Sequence, residues 1–259
     1  MAEEVILLAH GDGGRLTHRL VEELFFRYFA NPHLAPLTDA AAFEAPAGGR
    51  LALTTDSFVV SPLFFRGGDI GKLAVNGTVN DLVVSGARPL YLTAGFILEE
   101  GLPLMVLERV VASMAAAAQE AGVTVVAGDT KVVGRGAADQ LFINTAGLGV
   151  IPAAVRLGYE RVRPGDAVVV SGHVGDHGLA ILAERQELGV ANAPASDCAP
   201  LTGLILPLLE AFPGLKLMRD PTRGGLATTL KEIAQSCRVD IWLEEAAIPV
   251  RPEARGLAE

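Results

Sequence analysis

Short apolar runs rich in β-branched residues alternate along this chain with longer segments whose apolar residues recur every three or four positions. That alternation restricts the fold to the α/β or α+β class. LALTTDSFVV (51–60), PLYLTAGFIL (89–98), VTVVAGD (123–129) and LFINTAGLGVI (141–151) have the length and residue types of strands. Between them, GGDIGKLAVNGTVNDLVVSGA reads as a helix opened by two glycines, and LPLMVLERVVASMAAAAQEAG as a strong helix closed by Gly122. Upstream, Leu16, Leu20, Val21, Leu24, Phe25 and Tyr28 predict an amphipathic helix directly after HGDGGR.

The pattern restarts after the linker YERVRPG, where DAVVVSG predicts a strand, GDHGLAILAER a helix and MRDPTRGGLATTLKEIAQSC a helix opened by Pro and Gly. Three parts are therefore expected: a Gly-rich loop and helix over 1–40, one unit over 41–152, and a second α/β unit over 160–259. The loop NPHLAPLTDAAAFEAPAGGR reads as a junction between the first two. A Pro at a good first helical position in IPVRPEARGLAE predicts one more helix at the end.

Of the 259 residues, 50% are hydrophobic and 20% charged, enough to fill a sizeable core and too apolar for a disordered chain. A net charge of -9 with no Lys/Arg cluster argues against a nucleic-acid surface. Apolar stretches such as LTGLILPLL fall short of the roughly 20 residues a membrane span needs. The N-terminus MAEEVILLAHGDGG carries acids where a secretory signal has basic residues, so a cytoplasmic protein is expected. The two cysteines, Cys198 and Cys237, have no CxxC or Cys/His spacing around them; buried inert thiols are expected.

Three acids stand out. Asp56 (LALTTDS), Asp81 (NGTVNDL) and Asp129 (VVAGDTK) each end or follow an apolar run and are flanked by Gly, Thr or Asn. Open α/β sheets place ligands at the carboxyl ends of strands, and Mg2+ takes one or two carboxylates with phosphate oxygens and water. Carboxylates from three segments could therefore hold one or two ions against a triphosphate. Singly, each acid could equally be a turn residue or a helix cap.

Helical geometry adds a second cluster. At 100° per residue, Asp69, Lys72, Asn76 and Asn80 fall within an arc of roughly 80°, forming one polar stripe, while Asp81 faces another neighbour. The bland account is a solvated face. Asn, Gly and Thr are poor fillers for such a face, however, so short amides holding a nucleotide or phosphate explain the choice better. Lys131, two residues beyond Asp129, is the best-placed cation for charge developing on a phosphoryl group. HGDGGR could wrap a phosphate with backbone N–H groups, although neither a Walker A nor a Rossmann sequence is present. His10, His173 and His177 lie near glycines; without a third ligand in register, loop or capping roles are expected.

HGDGGR, TTDSFVV, FRGGDIGKLAVNGTVNDLVVSGARPLYLT, VAGDTKVV and MRDPTRGGLATTL, in this order, resemble the HypE family of hydrogenase maturation proteins. That family belongs to the ATP-binding superfamily of aminoimidazole ribonucleotide synthetase, selenophosphate synthetase and thiamine-monophosphate kinase. The resemblance covers essentially the whole chain. It implies a two-domain PurM-like fold whose N-terminal domains pair through their sheets into a homodimer with a β-barrel-like centre. It also implies a carbamoyl dehydratase: a C-terminal cysteine carbamoylated by HypF is dehydrated with ATP to a thiocyanate. A HypC–HypD complex then takes the cyanide for a NiFe hydrogenase.

Carried onto this sequence, the resemblance puts Mg2+ on Asp56, Asp81 and Asp129, with Lys131 and Asp81 in catalysis. It puts ATP on Gly13, Gly14, Asp56, Gly67, Gly68, Asp69, Lys72, Asn76, Asn80, Gly128, Asp129 and Thr130, with the loop from Gly11 to Gly14 closing over the site. One departure concerns the reactive cysteine, which the family carries at or near its end. Neither Cys198 nor Cys237 is terminal here, so a shortened C-terminus is expected. The alternatives that fit the TTD and GDT elements alone are a thiamine-monophosphate kinase-like enzyme and a nucleotide-binding scaffold without catalysis.

Overall fold

The computed structural model describes residues 4–37, 40–44, 48–185, 193–222 and 224–258. Helices α1 (Arg15–Leu20) and α2 (Phe26–Phe29) are joined by a π-type turn at Val21–Phe25 into one run, as the apolar spacing predicts. Its apolar face buries Leu20, Leu24, Phe25 and Phe29, with the Phe25 ring 4.9 Å from Phe96. Part of the junction loop that follows, residues 38–39 and 45–47, lies outside the described residues.

The first half is built on β1 (Arg50–Phe58), a small hairpin of β2 (Phe64–Phe65) and β3 (Gly68–Asp69), α3 (Ile70–Val84), β4 (Arg88–Glu99), α4 (Leu104–Ala121), β5 (Thr124–Val133) and β6 (Leu141–Ile151). The four long strands form one sheet in the order β1-β6-β4-β5. Only β4 and β5 run parallel, because α4 carries the chain back between them; the other pairs are antiparallel. Asp69 starts α3 by accepting N–H bonds from Gly71 (2.8 Å) and Lys72 (3.0 Å), and Gly122 ends α4 at φ 73.

Helices α3 and α4 cover one face of the sheet, where Leu92, Leu98, Ile143, Val79 and Val110 are sealed. The opposite face is bare among the described residues: Leu51, Leu53 and Ile97 are 63%, 76% and 43% exposed. Strand alternation puts every second side chain of β1 on that face.

The second half carries α5 (Asp176–Arg185), α6 (Thr202–Ala211), α7 (Gly225–Cys237) and α8 (Pro252–Ala258). Ile181 of α5 and Ile205 of α6 join the same apolar core as the first half. The strand expected at DAVVVSG is absent: residues 166–172 form no ladder with any described segment, and Val169 is 87% exposed. β propensity needs a paired neighbour before it becomes a strand, and no described segment pairs with this run. No helix among the described residues is long and apolar enough to cross a membrane.

Candidate active site

Strand β1 and helix α3 meet in register. Thr54 and Asp56 point from β1 toward α3, where Thr54 Oγ1 donates to Asp81 Oδ2 at 2.9 Å. Asp56 Oδ2 lies 3.6 Å from where a side chain on Gly77 would begin, and the same virtual atom would sit 2.9 Å from the Phe58 ring. Gly77 is thus needed for close approach, which explains a poor helix former in mid-helix. Residues two apart on a strand and four apart on a helix have nearly matched spacing, about 6–7 Å. Thr54 therefore pairs with Asp81 and Asp56 with Gly77, leaving the two carboxylates side by side in one groove.

A further acid closes this groove. The carboxyl of Asp220, from MRDPTRGG in the second half, comes close enough to Asp81 to share a proton with it. Burial and the neighbouring Asp81 carboxylate push Asp220 from 3.8 up to about 6, while its own backbone amide and Arg219 pull the other way. Arg219 is itself held by the Tyr159 hydroxyl at 2.5 Å and by Glu232 at 3.1 Å. In the sequence MRDPTRGG reads as a helix start and as part of the family resemblance, and Asp220 was missed as a site residue. The signal was present, since an acid before Pro, Thr and Gly has the same flanks as the other three.

Asp129 lies elsewhere. The cross-strand row runs Ser57, Asn144, Gly95, Asp129, so Asp129 is three strands from the β1 edge, about 14 Å away. It is also on the bare face, whereas Asp56 turns toward α3. One chain does not bring the three aspartates together. Lys131, on the same face, pairs with Asp129 at 3.1 Å, and Thr130 N–H donates to Asp129 Oδ1 at 2.8 Å. Gly128 lets β5 pass close to β4, since a Cβ there would meet Ala94 O at 2.7 Å.

The polar stripe on α3 is partly covered. The extended strap 193–201 crosses it: Ser196 N donates to Arg66 O at 2.8 Å, and Gly67 leaves room for the Ser196 backbone, which a Cβ would meet at 2.6 Å. Gly68 packs against the Phe65 ring and, more loosely, Cys198. Asn76 is 1% exposed and donates to Cys198 Sγ at 3.5 Å, while its Oδ1 has no partner. Asn80 bonds the strap backbone on both sides of Pro200. Asp69 caps α3 with one oxygen and accepts from Ser113 Oγ at 2.5 Å with the other, so both are committed to structure. Lys72 gives its backbone N–H to that cap and keeps a half-buried side chain close enough to Cys198 to act on the thiol electrostatically.

The glycine loop has a similar outcome. Gly13 N–H donates to Thr17 Oγ1 at 3.0 Å and Gly14 N–H to Asp12 Oδ1 at 2.7 Å, so these amides are engaged within the loop. Gly11 packs on Val132 and sets the loop beside the Asp129–Lys131 end of β5. His10 accepts from Leu7 N–H at 3.0 Å, and His177 Nδ1 meets Ser196 Oγ at 2.9 Å, with burial lowering its pKa. Both cysteines are half-buried; burial pushes the Cys198 thiol up.

Among the described residues, no three His, Cys, Asp or Glu side chains converge tightly enough to enclose a metal alone. The Asp81–Asp220 pair supplies two carboxylates, a number that suits Mg2+, which completes its shell with phosphate and water.

The comparisons agree with this architecture. The model for AIR synthase related protein, N-terminal domain, matches residues 37–151, and that for its C-terminal domain matches 163–258. Carbamoyl dehydratase HypE of Cupriavidus necator is 52% identical over 252 residues, 97% of this chain and 72% of that protein. A crystal structure of HypE in complex with ATP superposes with a TM-score of 0.94 at 53% identity, covering 97% of this chain and 75% of that one. A HypE–HypF complex matches with a TM-score of 0.78 at 49% identity over 92% of this chain and 76% of the other. With both halves matched by the AIR synthase related models and half the residues shared with carbamoyl dehydratases, the chain belongs to the HypE family of hydrogenase maturation proteins.

Proposed function

We propose that this chain carries out the ATP-dependent dehydration of an S-carbamoylated cysteine to a thiocyanate, supplying cyanide for NiFe-hydrogenase maturation. The observation that carries the reading is the meeting of Asp81 with Asp220 beside Thr54 and Asp56, an acidic groove between the two halves of a chain that shares half its residues with carbamoyl dehydratases. The substrate thiol sits on the C-terminal cysteine that the family resemblance implies, with HypF as carbamoyl donor and a HypC–HypD complex as cyanide acceptor, in the cytoplasm.

The chemistry follows from the leaving group. An amide oxygen departs poorly until it is phosphorylated. Attack of the thiocarbamate oxygen on the γ-phosphorus releases ADP and, with loss of one N–H proton, leaves an O-phosphorylated imidate; loss of the second N–H proton then expels phosphate and leaves the nitrile. Mg2+, when bound, neutralises phosphate charge during this transfer. Asp81 and Asp220 are its holders, with Thr54 fixing the Asp81 rotamer and Asp56 within reach.

Asp129 and Lys131 enter through pairing of two copies. The bare sheet face with Leu51, Leu53 and Ile97 supports a homodimer, and it carries Asp129 and Lys131 toward the neighbouring copy. In this arrangement the site is shared: one copy supplies the Asp56–Asp81–Asp220 groove and the other the Asp129–Lys131 pair. The Gly11–Gly14 loop, packed on β5, shields it from water.

The test supplies ATP, Mg2+ and an S-carbamoylcysteine peptide fused after Glu259 or added in trans, and follows mass. Loss of one water from the peptide for each ADP formed is expected. ADP release with the peptide mass unchanged refutes the dehydratase reading.

A further inference from the structure

Asn80 lies one residue before Asp81 on α3, and its side chain is used completely. Its Nδ2 donates to Ala199 O at 3.0 Å and its Oδ1 accepts from Leu201 N–H at 2.8 Å. A primary amide paired with the donor and acceptor flanking Pro200 imitates one rung of a β-ladder. Leu201 is also the residue from which α6 begins. The strap is anchored a second time at its other end, by Ser196 N to Arg66 O at 2.8 Å and by Arg66 Nη1 to Ala193 O at 2.7 Å. Consecutive residues of α3 thus grip two separate pieces of the second half: Asn80 holds 199–201 and Asp81 meets Asp220.

We infer that Asn80 is a positioning residue that sets the second half of the chain on α3 so that Asp220 reaches Asp81, and that it does not contact the nucleotide. The inference rests on the Mg-nucleotide reading above and makes it more specific. The two carboxylates repel once neither a proton nor a cation lies between them, so in that state contacts elsewhere on the same interface must hold them together. Asn80 is placed for this: it is neutral, sits on the same helix one position away, and is bonded to backbone rather than to a movable side chain. A nucleotide ligand would need the amide free. Here both of its ends are occupied by the protein's own chain.

The experiment measures nucleotide affinity by calorimetry, with ATP and with a non-hydrolysable analogue, each with and without Mg2+, for the full chain and for Asn80→Ala and Asn80→Asp. Amide hydrogen exchange over 193–205 is recorded in parallel. The Asp variant keeps the acceptor for Leu201 N–H and loses the donor to Ala199 O, so it serves if the Ala variant folds poorly. In Asn80→Ala, exchange of the Leu201 amide should quicken about tenfold, and the gain in affinity that Mg2+ confers should shrink about fivefold, with Mg-free affinity unchanged.

An equal loss with and without Mg2+ would make Asn80 a nucleotide contact and overturn the inference. A lower melting temperature with an intact Mg2+ gain would make it merely structural and overturn it as well. Failure of the parent reading looks different, since the unsubstituted chain would then show no Mg-dependent nucleotide binding.

Discussion

Asp220 is half-buried against a second carboxylate. Burial, with Asp81 adding to it, raises its carboxyl from 3.8 to about 6. Between those values the folded protein keeps a proton that the unfolded chain has released, so stability falls as pH rises from about 4 to about 6. Asp220→Asn should flatten this slope in Mg-free buffer and raise the melting temperature at pH 7 relative to pH 4. The half-buried position screens the effect to on the order of 1 kcal/mol, about 2–4 °C. Thermal unfolding across that range checks it, and an unchanged slope would mean that the pair is not sharing a proton. Single residues were also where the sequence was least legible. Asp56 and Asp81 announce themselves by their flanks, whereas the duties of Asn76 and Asn80 depend on the strap 193–201, more than 110 residues downstream in the chain. No local spacing encodes a partner so remote.

At the scale of elements, two glycines separate two causes of cost. Gly122 ends α4 at φ 73 with nothing near its missing side chain, so Gly122→Ala should cost about 1 kcal/mol through backbone conformation alone. Gly71 is buried where α3 crosses α4, and a Cβ there would meet Val110 O at 2.4 Å and Met114 Cγ at 2.8 Å. Gly71→Ala forces the helices apart and should cost about 2–3 kcal/mol. Urea unfolding of both variants, read at the midpoint, tests the order; equal costs would contradict the close crossing. The long elements were readable because their period and caps are local: α4 ends at the glycine the pattern marks, and β1, β4, β5 and β6 fall on the apolar runs. DAVVVSG failed because a strand is a property of pairs, and no described segment pairs with it.

For the whole molecule, the proposed pairing makes the site a joint possession. Leu53→Asp, on the bare face, should yield a monomer by sedimentation while its own melting curve remains cooperative. The stronger check mixes inactive Asp56→Ala with inactive Asp129→Ala. If the groove and the Asp129–Lys131 pair meet between copies, random re-pairing restores about a quarter of the sites, because half the dimers are mixed and each has one intact site. No recovery would confine the site to a single chain. The fold class could be anticipated from the alternating strand and helix pattern and from the family resemblance. The separation of Asp129 from Asp56 could not, since it depends on the strand order β1-β6-β4-β5.

The close fit of Gly77 against Phe58 and Asp56 also bears on the order in which this protein assembles. A run of Asn76, Gly77 and Thr78 in mid-helix cannot nucleate a helix, whereas the alanine-rich α4 can. Pulsed hydrogen exchange during refolding should therefore protect α4 with the parallel pair β4 and β5 before α3, which winds up once β1 and β6 are present to receive it. On that order the acidic groove forms last, and a chain caught before α3 winds up would be compact without a place for ATP.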